Sequence, residues 1–387
     1  MTFKEKILSK SNSYNYYKEK NDSLVKEIEN LKKELKTTQN KNTTLTNELD
    51  KVKNMTLREK FRELYARPSG FCGYAYVDYY FQEDFEDKFK NITQHLDSES
   101  KYFFKWLYIR SVASNIVTQE TMYSKQELAD QKKYWDYKLA HTSENQVGEY
   151  KFTGGYNLHP FVDLNLNDAD AEFLKDKDII DAGAFTGDTS IPLAKYTTGN
   201  VYAFEPFDES FELLNKNIKD NNINNVIPVK KSLGNKEGIQ TLYLSGTNVQ
   251  GITSDKNARK YDTELKVEET TVDKFVEEND LNVGFITIDV EGGEMDLLNG
   301  ALNTIKTQKP ILSISIYHKI SDFMGIIPWV ADLDLGYEFE IVKEQPWGFI
   351  SDTSVQCRVK QWCTLYFTFF LLKTNLFSHL KKFEWNF

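Results

Sequence analysis

Cysteine is scarce in this chain, with three in 387 residues. Cys72, Cys357 and Cys363 are too few for a disulfide framework, and their spacing does not suit a zinc site, so reduced thiols are expected. Long apolar runs are also missing. The most apolar one, Cys363 to Leu372, ends at Lys373, well short of the roughly 18 residues that a spanning helix requires. The opening Met-Thr-Phe-Lys-Glu-Lys has no apolar leader region, so a cytoplasmic location is expected. Positive charge is in deficit. The net charge is −10, yet residues 1–60 hold 14 Lys and Arg against 9 Asp and Glu. The remainder is therefore more acidic than the whole and would repel a phosphate backbone, which excludes nucleic acid as the expected partner and favours small or neutral substrates.

What is present suffices for a sizeable core. The chain is 40% hydrophobic, 14% aromatic and 27% charged, a composition of folded rather than disordered proteins. Its length predicts two or three units. Leu24, Ile28, Leu31, Leu35, Thr38, Asn42, Leu45, Leu49 and Val52 alternate steps of four and three, the seam of a coiled coil. With Ile28, Leu35, Asn42 and Leu49 at a, Glu27 and Glu48 at g precede Lys32 and Lys53 at e by five residues, a pattern that suits a parallel homodimer. Residues 1–57 are read as this coiled-coil helix. Arg67-Pro68-Ser69-Gly70 breaks the pattern. Residues 58–165 are read as a helical cap or linker, with helices over Glu86 to Leu96, Lys101 to Val117 and Lys125 to Tyr137.

From about residue 166 to 387 the pattern becomes short apolar strands alternating with helical stretches. The strands are expected at Asp178 to Asp181, Val201 to Phe204, Val226 to Val229, Phe285 to Asp289 and Ile311 to Tyr317. Such alternation predicts an α/β, Rossmann-like fold with a parallel sheet, whose ligands bind at the carboxyl ends of the strands. The first strand runs into Asp181-Ala182-Gly183-Ala184-Phe185-Thr186-Gly187-Asp188-Thr189. Its two glycines let the backbone approach a ligand, and Asp181 suits an ammonium group where a pyrophosphate would be repelled. The second strand ends in Phe204-Glu205-Pro206, so Glu205 lies 22 residues beyond Gly183, the spacing of a carboxylate that accepts hydrogen bonds from ribose hydroxyls. A nucleoside with a nearby positive group describes S-adenosylmethionine.

The fourth strand ends in Ile288-Asp289-Val290-Glu291-Gly292-Gly293-Glu294, three carboxylates in six residues where such a fold opens its catalytic mouth. Glu294 also fits a helix N-terminus. The fifth strand ends at Tyr317-His318-Lys319, and His318 is a candidate general base for a hydroxyl. At these residues the sequence resembles the FkbM family of S-adenosylmethionine-dependent methyltransferases, from about Asp168 to Glu344. The resemblance implies a seven-stranded class I methyltransferase sheet and methyl transfer to oxygen, on a sugar, a surface glycan or a related small molecule. It also implies that Asp181, Gly183, Gly187 and Glu205 hold the cofactor while Asp289, Glu291 and His318 face the acceptor; no residue is assigned to a metal. In place of the family's closing strand, Gln361-Trp362-Cys363-Thr364-Leu365-Tyr366-Phe367 runs into an aromatic tail. Two other readings are an NAD-dependent oxidoreductase, opposed by the missing third glycine and by Asp181, and an inactive coiled-coil scaffold with a methyltransferase-like domain.

Overall fold

The protein is described by a computed structural model that covers residues 19–20, 23–44, 46, 73–113, 123–143, 146–154, 166–244, 252–253, 261–343 and 350–359. Two compact units divide at residues 65 and 66. In the first, residues 23–44 are helical, and Leu24, Ile28, Leu31 and Leu35 are about half-exposed along it. An unpartnered apolar stripe on one helix does not establish a coiled coil. Leu45, Leu49 and Val52, the last positions of the expected seam, lie outside the described residues, as does the break at Arg67 to Gly70.

The second unit is built on a seven-stranded sheet. Its strands are β1 (Asp178–Ala182), β2 (Val201–Phe204), β3 (Val226–Val229), β4 (Val283–Ile288), β5 (Ile311–Ser315), β6 (Tyr337–Lys343) and β7 (Thr353–Val359), in the spatial order β6-β7-β5-β4-β1-β2-β3. β1 to β5 pair in parallel. β1, β2, β4 and β5 are short apolar runs rather than alternating patterns because they are covered on both faces, whereas the edge strand β3 leaves Ile227 exposed. Ile179, Ile180, Phe285, Ile286, Leu312 and Ile314 are all fully buried.

The sheet is mixed, not wholly parallel as expected. β7 runs antiparallel between β5 and β6, to which it is joined as a long hairpin. Among the described residues it is the last strand of the chain, and it lies upstream of the Gln361 to Phe367 stretch that stands in place of the family's closing strand. That stretch and the rest of the aromatic tail, 360–387, lie outside the described residues. A second, four-stranded sheet between Ser232 and Thr270 had no counterpart in the sequence reading. Cys357 in β7 is a buried free thiol, whereas Cys72 and Cys363 lie outside the described residues.

Helices α1 (Gly73–Tyr80), α2 (Phe85–Thr93) and α3 (Ser98–Ala113) pack on the β6 side of this unit. Phe104 of α3 stacks on Phe323 with ring centroids 4.3 Å apart, and Tyr76 of α1 meets the same ring edge-on. The Tyr108 hydroxyl donates to the Tyr76 carbonyl at 2.8 Å, and the Ser100 hydroxyl accepts from the Ile341 N–H of β6. Phe323 belongs to the helix Ile320–Ala331, which starts two residues after His318, so the cap helices brace the element that follows the fifth strand tip. Among the described residues no helix is long and apolar enough to cross a membrane.

Candidate active site

Because β1, β2, β4 and β5 are parallel neighbours, their carboxyl ends open on one side. At the β1 tip Gly183 has φ +89°, and a Cβ there would lie 1.9 Å from the Asp289 carbonyl oxygen. Only glycine permits that backbone conformation and that approach. Gly187 has φ +88°, with Leu214 and Ile191 where a Cβ would go. The Gly183 and Ala184 N–H groups donate to the Phe204 carbonyl, fastening the loop to the β2 tip. From the helix Asp208–Asp220, Asn217 donates its amide N–H to the carbonyls of Thr186 (2.9 Å) and Thr153 (3.1 Å) and accepts from Thr153 N–H. No sequence signal marks Asn217, because the contact spans 31 residues.

Asp181 is buried and accepts a hydrogen bond from the Ser190 hydroxyl. Burial pushes its pKa up to about 7, with Ser190 opposing and Asp188 and Asp289 adding to the rise. Glu205, also buried, accepts the Phe185 N–H at 3.0 Å on Oε2 and the Phe207 N–H at 2.7 Å on Oε1. Both bonds favour the carboxylate, but burial outweighs them and pushes the pKa up to about 8.

Across from this pair, His318 is the centre of an acidic cluster. Its side chain is 3% exposed, with Nδ1 at 2.8 Å from Glu294 Oε1 and Nε2 at 3.3 Å from Asp289 Oδ1 and 3.6 Å from Glu291 Oε2. Glu294 also accepts the Val290 and Gly292 N–H groups, which is how a carboxylate at the start of the helix Glu294–Gly300 comes to be fully buried. The turn that brings Glu291 round has φ +54° at Glu291 and +99° at Gly292, and the Lys319 ammonium donates to the Gly292 carbonyl. The Tyr317 hydroxyl lies 3.5 Å from both oxygens of Asp289.

The general-base role expected of His318 does not suit this geometry. A neutral imidazole has one N–H donor, yet both ring nitrogens face carboxylates. Burial alone would lower the pKa, but Glu294, then Asp289 and Glu291, raise it to about 10, so the ring carries its proton at neutral pH. Glu294, which fitted a helix start in the sequence reading, is its nearest partner. Asp322, one helical turn past His318, belongs to the same cluster, and burial, followed by Glu294, pushes it up to about 7. The seven residues expected from the sequence thus fall into two groups: Asp181, Gly183, Gly187 and Glu205 on β1 and β2, and Asp289, Glu291 and His318 on β4 and β5. The groups meet where Gly183 abuts Asp289.

Three solved structures resemble parts of this chain. A methyltransferase FkbM from Methylobacillus flagellatus KT is 16% identical with a TM-score of 0.47, over 73% of this chain and 61% of its own. An O-methyltransferase from Bacillus cereus in complex with S-adenosylhomocysteine is 11% identical with a TM-score of 0.33, over 67% of this chain and 100% of its own. An rRNA methylase from Streptococcus thermophilus is 16% identical with a TM-score of 0.32, over 50% and 92%. This chain thus spans about three-fifths of the length of the FkbM structure. No curated protein matches it. A family model described as Methyltransferase FkbM domain matches residues 181–339, from the Asp181 tip of β1 into β6, and it is over these residues that the chain resembles the FkbM methyltransferases.

Proposed function

We propose that the chain is an S-adenosylmethionine-dependent O-methyltransferase acting on a hydroxyl of a sugar, a surface glycan or a related small molecule. The observation that carries this reading is the meeting of two groups at adjacent strand tips: a glycine loop with two buried acids, and an acidic cluster around an imidazole. The first group fits the cofactor. Each Glu205 oxygen accepts one backbone N–H and keeps a lone pair for a ribose hydroxyl, while the bare backbone at Gly183 and Gly187 admits a close ligand. Two acids there would repel a pyrophosphate, which disfavours the NAD-dependent reading.

When bound, S-adenosylmethionine supplies a methyl group that an acceptor oxygen takes as the carbon–sulfur bond breaks with its electron pair passing to sulfur. The chain's own part is to hold the acceptor in line, which supplies much of the acceleration of a two-substrate transfer. Asp289, 44% exposed in its side chain, stands at the mouth, where it accepts the acceptor's hydroxyl hydrogen. The proton-acceptor role expected of His318 passes to it, and His318 orients Asp289 and Glu291. The helix over 23–44, with its apolar stripe exposed, is read as the seam of a parallel homodimer.

The test is transfer of labelled methyl from S-adenosylmethionine into fractionated cell extract, with the product identified. Label in a glycan or small-molecule fraction supports the acceptor class, and label in RNA overturns it. Failure of S-adenosylhomocysteine to bind in calorimetry overturns the enzyme reading in favour of an inactive scaffold.

A further inference from the structure

We propose that Asn217 is a positioning residue for the cofactor, tying the segment 150–154 to the glycine loop 183–187 so that seating the segment and binding S-adenosylmethionine favour each other. The inference rests on the methyltransferase reading for the identity of the ligand, whereas the tie itself stands on hydrogen bonds. Asn217 and Asn221 lie one turn apart at the end of the helix Asp208–Asp220. Each closes a pair of hydrogen bonds on one residue of the segment. Asn217 accepts the Thr153 N–H at 2.7 Å and donates to the Thr153 carbonyl at 3.1 Å. Asn221 does the same with Lys151, at 2.7 and 2.6 Å. The two spacings match, since four residues of helix rise about 6.0 Å and two residues of extended chain about 6.6 Å. Lys216 adds its ammonium to the Thr153 hydroxyl at 2.7 Å, and Gly154 ends the segment with φ +89° against Leu213.

Asn217 reaches further than its neighbour. An amide has two donor hydrogens, and the second goes to the Thr186 carbonyl at 2.9 Å. Asn217 and Thr186 are both fully buried. Thr186 stands between Phe185 at φ +47° and Gly187 at φ +88°. A left-handed phenylalanine is costly and persists only where its surroundings fix it. The Thr186 carbonyl is one fixed point, and the bond from the Gly187 N–H to the Ala184 carbonyl, at 2.7 Å, is another. What they hold is functional, because the Phe185 N–H donates at 3.0 Å to Glu205 Oε2, on the carboxylate assigned to the ribose. An apolar route runs beside this one. Phe152 of the segment is buried with Ile191, and Ile191 Cδ1 lies 3.2 Å from where a Cβ on Gly187 would be. The seated segment thus keeps the loop in its binding shape, and a ligand that orders the loop favours the seated segment by the same free energy.

The probe is S-adenosylhomocysteine, its affinity for the full chain measured by titration calorimetry and its effect on the backbone by hydrogen–deuterium exchange. In the wild-type chain the ligand should slow exchange in 150–154 as well as in 183–187. Asn217→Asp keeps the acceptor for the Thr153 N–H and, as a carboxylate, loses both donors. It should weaken binding about tenfold or more and abolish the ligand's protection of 150–154. Asn221→Ser loosens the segment without touching the loop, so it should speed exchange in 150–154, weaken binding less and leave that protection in place. Equal weakening by the two variants, or a lower melting temperature in Asn217→Asp at wild-type affinity, overturns the proposal. The wild-type chain decides the matter if Asn217→Asp does not fold. A wild-type chain that binds S-adenosylhomocysteine without protection of 150–154 overturns the role of Asn217 alone, whereas one that does not bind it overturns the methyltransferase reading and this role with it.

Discussion

Glu205 is expected to couple cofactor binding to pH. A ribose hydroxyl donates to a carboxylate more strongly than to a neutral carboxyl, but burial pushes the Glu205 pKa up to about 8 in the unliganded chain. At pH 7 about nine chains in ten then carry the proton, and binding to the ionised form bears a cost of about 1.4 kcal/mol, rising to about 2.7 kcal/mol at pH 6 and vanishing by pH 9. The affinity for S-adenosylhomocysteine is therefore expected to tighten about tenfold per pH unit below 8, with close to one proton released at pH 7. Isothermal titration calorimetry in buffers of different ionisation enthalpy counts that proton. The same series with 5′-methylthioadenosine, which keeps the ribose and lacks the amino acid, isolates the nucleoside end. Glu205→Gln should flatten the pH profile and weaken binding, since two charge-assisted hydrogen bonds of about 1.5–3 kcal/mol each are lost. A flat wild-type profile, or an unchanged slope in Glu205→Gln, refutes the assignment of Glu205 to the ribose.

The same shifts govern stability. A carboxyl whose folded pKa is raised stabilises the fold below its ordinary value and loses that contribution as pH rises, through about 7 for Asp181 and about 8 for Glu205; the unliganded chain should melt at a lower temperature at pH 9 than at pH 6, and Glu205→Gln should reduce the difference. Gly183→Ala should lower stability by about 2–5 kcal/mol, from the positive φ and the collision with the Asp289 carbonyl, and calorimetric melting at the wild-type temperature would refute that close approach. Phe323→Ala should cost about 3–5 kcal/mol by opening a cavity among Tyr76, Phe104 and Tyr108, measured by denaturant unfolding. Asp289→Asn should lower turnover and raise the Michaelis constant for the acceptor while leaving S-adenosylhomocysteine affinity near wild type. The full chain should sediment as a dimer and a chain starting at Thr56 as a monomer, and a dimeric truncation would place the contact outside 23–44.

Much of the sheet was legible because β1, β2, β4 and β5 are buried almost throughout and read as compact apolar runs between turn residues, as does the edge strand β3, although its Ile227 is exposed. The boundaries of β2 and β3 coincide with the expected ones. β6 and β7 were not legible for the opposite reason. β6 is half-exposed and alternates, while β7 is wholly buried yet mixes Thr353, Ser354, Gln356 and Arg358 with its apolar residues. Arg358 is tolerable there because of partners on other elements. The Arg358 guanidinium, for instance, donates to Asp170 188 residues away and to Glu340 on β6. A hydropathy pattern carries no trace of such pairing.

The site divides along the same line. Asp181, Gly183, Gly187 and Glu205 were legible as candidates because a loop between a buried strand and a helix has few backbone solutions, and glycine marks two of its three positions with positive φ, Phe185 being the third. His318 was legible as a titratable group at a strand tip, but its protonation state was not, because that depends on what surrounds both ring nitrogens. Glu294 lies 24 residues from His318 in sequence and 2.8 Å away in space, brought there by the parallel register of β4 and β5, where Ile288 stands opposite Ile314. Once that register is fixed, the turn after β4 and the residues after β5 meet, and Glu294 reaches Nδ1 while Asp289 and Glu291 take Nε2.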